Sequence, residues 1–245
     1  MAEHPTDLGM NKTGISLSPI DSGKLIEGAK NAKPTSEPDG FDVEKMRSQY
    51  IEKHIPIGSM PPPVTAQGMF STAKQMVKGN KSSVLLDKLG ERLAFERTGV
   101  RLYELLMAKA QTLLPSDQGL QNRFRKIQSE EMRHFQVLKR SIEQLGGDPT
   151  AMTPCADVTS VNSMGLLQTI GDPRTTLSQS LGAILIAEAA DNEGWDLLIK
   201  LCDAVKEVEL KKEFTQCKAE EDEHLRIIRQ LVSVATMDNL QNRPV

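Results

Sequence analysis

Four stretches between residues 82 and 236 repeat apolar residues at heptad spacing, and each repeat is broken near its middle by an acid. The first runs Leu86, Leu89, Leu93, Glu96, Val100, Tyr103, Met107, Ala110, Leu114. The second is Phe124, Ile127, Glu131, His134, Leu138, Leu145. The third is Leu177, Leu181, Ile184, Glu188, then Asp191 or Asn192, then Trp195, Leu198, Cys202, Val205. The fourth is Leu210, Phe214, Cys217, Glu221, His224, Ile228, Leu231, Ala235. A seam of this period is buried by packing on another helix, so the chain reads as all-α, with four helices around one core. No strand pattern competes with it.

The helix limits follow from caps and breakers. Ser82 or Ser83 can cap the first, which stops near Leu114 before Pro115. Ser116 or Asp117 can cap the second, which ends near Leu145 before Gly146, Gly147 and Pro149. The third starts at Thr175 or Thr176, after Asp172-Pro173, and reaches Val205; the fourth spans Val208 to Thr236. Residues 148–174 carry turn formers and one short helix around Leu166–Ile170. Short links make helices one and two, and three and four, antiparallel neighbours. The long middle connection allows a crossover that leaves helices two and three parallel.

The breaks in the seams carry the chemistry. Helices of similar length bring the four interruptions to one level, where four carboxylates and two imidazoles meet. A carboxylate in a low-dielectric core costs several kcal/mol even after relaxation, and the seams hold no Lys or Arg to neutralise four of them. Two divalent cations would balance the charge and use both histidines. Glu and His at i and i+3 share a helix face and can serve one metal. The candidate ligands are therefore Glu96, Glu131, His134, Glu188, Glu221 and His224. Either Glu-x-x-His alone would read as a solvated face; two of them, level with two further glutamates, form a specific set. The segment Ser129–His134 also aligns without gaps on Ala219–His224, and Leu138-Lys139 on Ile228-Arg229. Glu96 precedes Tyr103 by the interval that separates Glu188 from Trp195. The bundle thus reads as one helix pair duplicated about a pseudo-twofold axis.

The rest of the chain is of another kind. Residues 1–80 are rich in Pro, Gly, Ser and Lys without a sustained apolar period, and read as an extended, largely irregular or disordered arm. Within it Asp42–Ile51 and Met69–Val77 are locally helical and Pro61–Pro63 is a stiff spacer. The expected division is 1–80 arm, 81–238 bundle and 239–245 tail. A net charge of -3 and the lack of a basic run argue against a nucleic-acid partner. No stretch is apolar enough to span a bilayer, and no signal peptide is recognised at the start. The three cysteines form no CxxC pair, and a reducing, cytoplasmic setting is expected.

With EEMRH at 130–134 and EEDEH at 220–224, the chain resembles the ferritin-like superfamily over about residues 83–236, with motifs like those of bacterioferritin and rubrerythrin. The resemblance implies a ferritin-like antiparallel four-helix bundle holding two Fe ions, with Mn as the alternative. Glu131 and Glu221 would bridge them, Glu96 with His134 would complete one metal, and Glu188 with His224 the other. Tyr103 would stand beside the centre, hydrogen-bonding a ligand or supplying an electron. The implied chemistry is that of an oxidoreductase acting on Fe(II), O2 or peroxide, of ferroxidase, oxidase or peroxidase type. An iron-storage shell and a manganese catalase are the alternative readings. No rubredoxin domain is present, so an electron donor would be a separate protein; a homo-oligomer is expected. Met132 stands where bacterioferritin has its haem-ligating methionine, although packing between helices is the expectation. Cys217 is read as a small buried apolar residue, and Asp191 or Asn192 as a group orienting Glu188.

Overall fold

The computed structural model describes residues 19–32, 40–60 and 81–241. They fall in two units, divided near Ile57. The first holds helix α1, Pro19–Asn31, and helix α2, Gly40–Lys53. Helix α2 contains the expected helical segment Asp42–Ile51; α1 was not foreseen, because its few apolar residues lack a sustained period. Helix α1 buries none of its residues, and Met46, Tyr50 and Ile51 of α2 are exposed. The expected helix Met69–Val77 and the spacer Pro61–Pro63 lie outside the described residues.

The second unit contains α3, Lys81–Leu113; α4, Gln118–Gln144; α5, Pro154–Gly171; α6, Leu177–Val205; and α7, Val208–Gln241. Local chemistry sets several ends. Asp117 caps α4 by accepting from Leu120 N at 2.9 Å. Thr176 and Gln179 form a capping box at the start of α6. Lys206 ends α6 in the left-handed region (φ 67°), and Gly146 turns the chain after α4 at φ 81°. Helix α7 runs through Gln241, beyond the expected limit at Thr236.

Contacts between named residues fix the directions. Gly99 of α3 faces Glu131 of α4 while Glu96 faces His134, so α3 and α4 are antiparallel. On α6, Trp195 reaches Glu96 and Tyr103 reaches Glu188, which makes α3 and α6 antiparallel too. Helices α4 and α6 are therefore parallel, as the long crossover requires. That crossover is not the loop with a short helix at Leu166–Ile170 that the sequence suggested. It is an 18-residue helix, started by an N-cap at Thr153 and a proline in its first turn. Asp87 accepts from Cys155 N at 2.8 Å, and Gly171 meets Leu105, so α5 runs parallel to α3. Its buried residues are Ala156, Ser163 and Ile170, a heptad row of mostly small side chains.

The bundle core consists of two apolar clusters. One contains Leu102, Leu106, Phe124, Ile127, Ile184 and Ile228. The other contains Leu85, Leu89, Leu138, Trp195, Leu198 and Phe214. The polar residues of the four seams lie between them. Among the described residues no helix is long and apolar enough to cross a membrane.

Candidate metal centre

Each seam reaches its polar residue midway along a helix whose flanking turns are apolar, so the acids are buried. Glu96, Glu131, His134, Glu188, Glu221 and His224 are between 0 and 3% exposed. Glu221 lies at the middle, with Oε1 2.6 Å from His134 Nδ1 and Oε2 3.3 Å from His224 Nδ1. Glu96 Oε2 is 3.7 Å from His134 Nδ1. Glu131 Oε1 and Glu188 Oε2 are 3.5 and 3.9 Å from His224 Nδ1. Donor atoms of Glu96, His134 and Glu221 lie within 4.8 Å of one another, and so do those of Glu131, Glu188, Glu221 and His224. Glu221 belongs to both groups.

These approaches are close but do not have hydrogen-bond geometry. Glu96 Oε2, Glu188 Oε2, both oxygens of Glu221 and Nδ1 of both histidines have no hydrogen-bond partner among the described residues. Buried polar atoms are ordinarily paired. A set of them turned toward shared points is the arrangement that cations between them would satisfy, and carboxylate oxygen with imidazole nitrogen suits iron or manganese.

The opposite edge of each imidazole is held. Glu220 Oε2 lies 2.8 Å from His134 Nε2, and Glu130 Oε2 lies 3.0 Å from His224 Nε2. When Nε2–H donates to these carboxylates, Nδ1 keeps its lone pair for the interior. The two pairs cross between α4 and α7, each motif's first glutamate serving the other motif's histidine. Arg133 pairs with Glu220, and Lys126 lies 3.1 Å from Glu130. The outer carboxylates are held in the same crossed way. Trp195 Nε1 donates to Glu96 Oε1 at 2.9 Å, and the Tyr103 hydroxyl donates to Glu188 Oε1. The seam residue two turns past each glutamate thus serves the glutamate of the other helix.

One cation breaks the pseudo-symmetry. Arg92 is 3% exposed, and its Nη2 lies 2.9 Å from Asp191 Oδ1. The expectation that no arginine reaches the layer is corrected: Arg92 sits beside the seam residue Leu93 and enters where Gly194 has no side chain. The expected role of Asp191 changes with it. Asp191 stands near Glu96, Glu131 and Glu221, while Asn192 Nδ2 donates to the carbonyls of Glu188 (3.2 Å) and Glu221 (2.9 Å). Met132 is 45% exposed and is not packed between helices as expected. Cys217 is fully buried, and burial pushes its thiol up to about 12, which leaves it unreactive.

Charge is distributed unevenly over the cluster. Burial, then repulsion from Asp191, Glu131 and Glu221, holds Glu96 well above the carboxylate range against the pull of Arg92. Burial and repulsion from Glu131 and Glu221 do the same to Glu188. Burial raises Asp191 despite Arg92. Burial would also raise Glu221, but the two histidines beside it bring it down to about 2. Burial works against the charged form of His224, yet Glu131 and Glu221 lift it to about 12. The sign of the pH dependence follows. Between the unfolded carboxylate range near pH 4 and the raised folded values, the native metal-free chain binds more protons than the unfolded one. His224 acts in the same sense above about pH 6.5, and Glu221 is already ionised. Metal-free protein should therefore lose stability as pH rises from 5 to 8. Added metal needs the ligands deprotonated, so its stabilising effect should grow over that range. Thermal melts at both pH values, with and without metal, check both signs.

Comparison with known proteins agrees with the geometry. The model of the ferritin-like domain matches residues 86–237, more than half of the chain. The chain belongs to the ferritin-like domain family. A solved structure from Bacillus anthracis str. Ames, described as that of ferritin-like, diiron-carboxylate proteins, is 19% identical. The match covers 63% of this chain and 99% of that one, with a TM-score of 0.50, and shows a shared fold. No curated protein matches.

The structure brings together Glu96, Glu131, His134, Glu188, Glu221 and His224 of this ferritin-like chain, with Asp191 near Glu96, Glu131 and Glu221 and Tyr103 beside Glu188. Glu130, Glu220 and Arg92 lie off the seams that single out the others. The gap-free alignment of 129–134 on 219–224 contained the signal for the first two, since both copies begin with paired glutamates.

Proposed function

We propose that the chain is an oxidoreductase that holds two iron ions through Glu96, Glu131, His134, Glu188, Glu221 and His224, and reacts with O2 or peroxide. The observation that carries this reading is the set of buried, unpartnered donor atoms shared about Glu221. The iron preference is supported by what the Bacillus anthracis relative is described as holding. Bound iron would supply the electron-transfer chemistry. The chain's own residues do the rest. Glu131 and Glu221 would serve both positions, Glu96 and His134 would hold one, and Glu188 and His224 would hold the other. Glu130 and Glu220 keep each imidazole turned inward, and Trp195 and Tyr103 hold the outer carboxylates in place. The apolar clusters on either side exclude bulk water. Fe(II) is the substrate in the ferroxidase form of the reading, and a small reductant or a donor protein in the peroxidase form.

Iron-loaded protein should consume O2 or peroxide faster than free Fe(II) in stopped-flow measurements, and His134→Ala should slow it. Particles filled with iron would favour storage instead. O2 release from peroxide with manganese alone would favour a catalase. No acceleration with either metal would contradict an oxidoreductase.

Occupancy has an optical readout. Trp195 is the chain's single tryptophan, and its ring lies edge-on to His134 at 5.5 Å between centroids. Anaerobic Fe(II) or Co(II) should quench its fluorescence, and His134→Ala should blunt the quenching. Unchanged emission at saturating metal would count against occupancy of the Glu96/His134 position.

A further inference from the structure

The pseudo-twofold that relates Glu96 to Glu188 also relates Gly99 to Asp191, each three residues further on. These two positions are unlike. Asp191 fills its place with a carboxylate that stands near Glu221 and is tethered by Arg92. Gly99 leaves its place open, and Glu131 enters it. A Cβ built at residue 99 meets three nearest atoms that all belong to the Glu131 side chain. Its Cδ would be 3.0 Å away and its Oε2 closer still. The carboxylate of one inward acid thus occupies the volume that any larger residue at 99 would claim.

Resting on the reading of this layer as a metal centre, we propose that Gly99 is a positioning residue for Glu131. The slot it leaves places the Glu131 carboxylate where it serves both metal positions. Glu131 belongs to the donor group of Glu188, Glu221 and His224, and also to one with Glu96, Asp191 and Glu221. Closing the slot displaces the carboxylate from both. The slot has no role in keeping the helices together, because the atoms an alanine would strike are the end of a flexible side chain rather than backbone. The helix itself gains from the exchange, since alanine is the better helix former. Packing and metal binding therefore respond in opposite directions to one methyl group, which a purely structural role for Gly99 would not produce.

The test is an anaerobic Co(II) titration of full-length Gly99→Ala beside the unaltered chain, read by cobalt absorption and calorimetry, with metal-free melts of both. Gly182→Ala in α6, where a Cβ meets nothing within 4 Å, is the control; it should hold or raise the Tm and leave binding unchanged. Gly99→Ala should keep or raise the metal-free Tm and weaken cobalt binding by about ten- to a hundredfold, the range seen when groups that orient a ligand are altered. Two-site binding by the unaltered chain with an identical titration for Gly99→Ala would overturn this proposal alone. A parallel fall of Tm and affinity would also overturn it, by making Gly99 a packing residue. No cobalt binding by the unaltered chain would remove the reading beneath it as well.

Discussion

Glu221→Ala is expected to empty both metal positions at once, whereas Glu188→Ala should leave about one metal per chain. Glu221 is common to the group around His134 and the group around His224, while Glu188 belongs to one of them. Glu221 also carries the most secure negative charge of the layer, its carboxyl held down at about 2 by the two histidines. Removing it leaves two buried imidazoles without the carboxylate that lies between them. Breaking a buried charged cluster by deleting one partner costs about 3–5 kcal/mol, so the metal-free variant should also melt earlier. Glu221→Gln keeps the volume and should lose metal equally, separating charge from packing. Elemental analysis after anaerobic reconstitution reads the stoichiometry, and metal-free melts read the stability. Retention of two metals by Glu221→Ala would show that Glu221 is not shared.

The second large effect lies at Arg92. Arg92→Ala should destabilise the metal-free chain by about 1–3 kcal/mol, because Asp191, whose carboxyl burial already raises, loses its buried partner. The Tm should fall by several degrees. Replacing both partners of a buried pair by apolar residues of similar volume is often neutral. Arg92→Met with Asp191→Leu should therefore recover most of the loss. The same double replacement removes a carboxylate close to Glu96, Glu131 and Glu221. Metal-free thermal denaturation of both variants is the check. A single variant as stable as the unaltered chain would mean that Asp191 finds a proton or another partner at little cost.

What the sequence made legible was whatever repeats. The seam residues Glu96, Glu131, Glu188 and Glu221 stood out because an acid at an apolar position is costly, and the two histidines because they share a helix face with two of those acids. What it hid has physical reasons as well. Arg92 lies one residue off the seam and is buried because Gly194, on another helix, leaves room for it; a heptad reading of one helix cannot register that. Helix α5 was underestimated because its inward row, Ala156, Ser163 and Ile170, is built mostly from small residues that pack closely on α3 without an apolar stripe. Its start, Thr153 followed by Pro154, was an ordinary N-terminal signal within a segment otherwise rich in turn formers. The crossed pairs Glu130–His224 and Glu220–His134 depend on α4 and α7 running antiparallel at one level, which short-range spacing does not specify.

Reconstituting the full chain anaerobically with Fe(II), removing loosely held ions and counting iron per chain tests most directly whether this buried layer holds two metal ions. Anomalous diffraction from the same preparation locates the ions. Two irons per chain are expected, one near Glu96 and His134 and one near Glu188 and His224, with Glu131 and Glu221 between them. A layer free of metal at saturating Fe(II), or a single ion bound outside these six residues, would contradict that expectation.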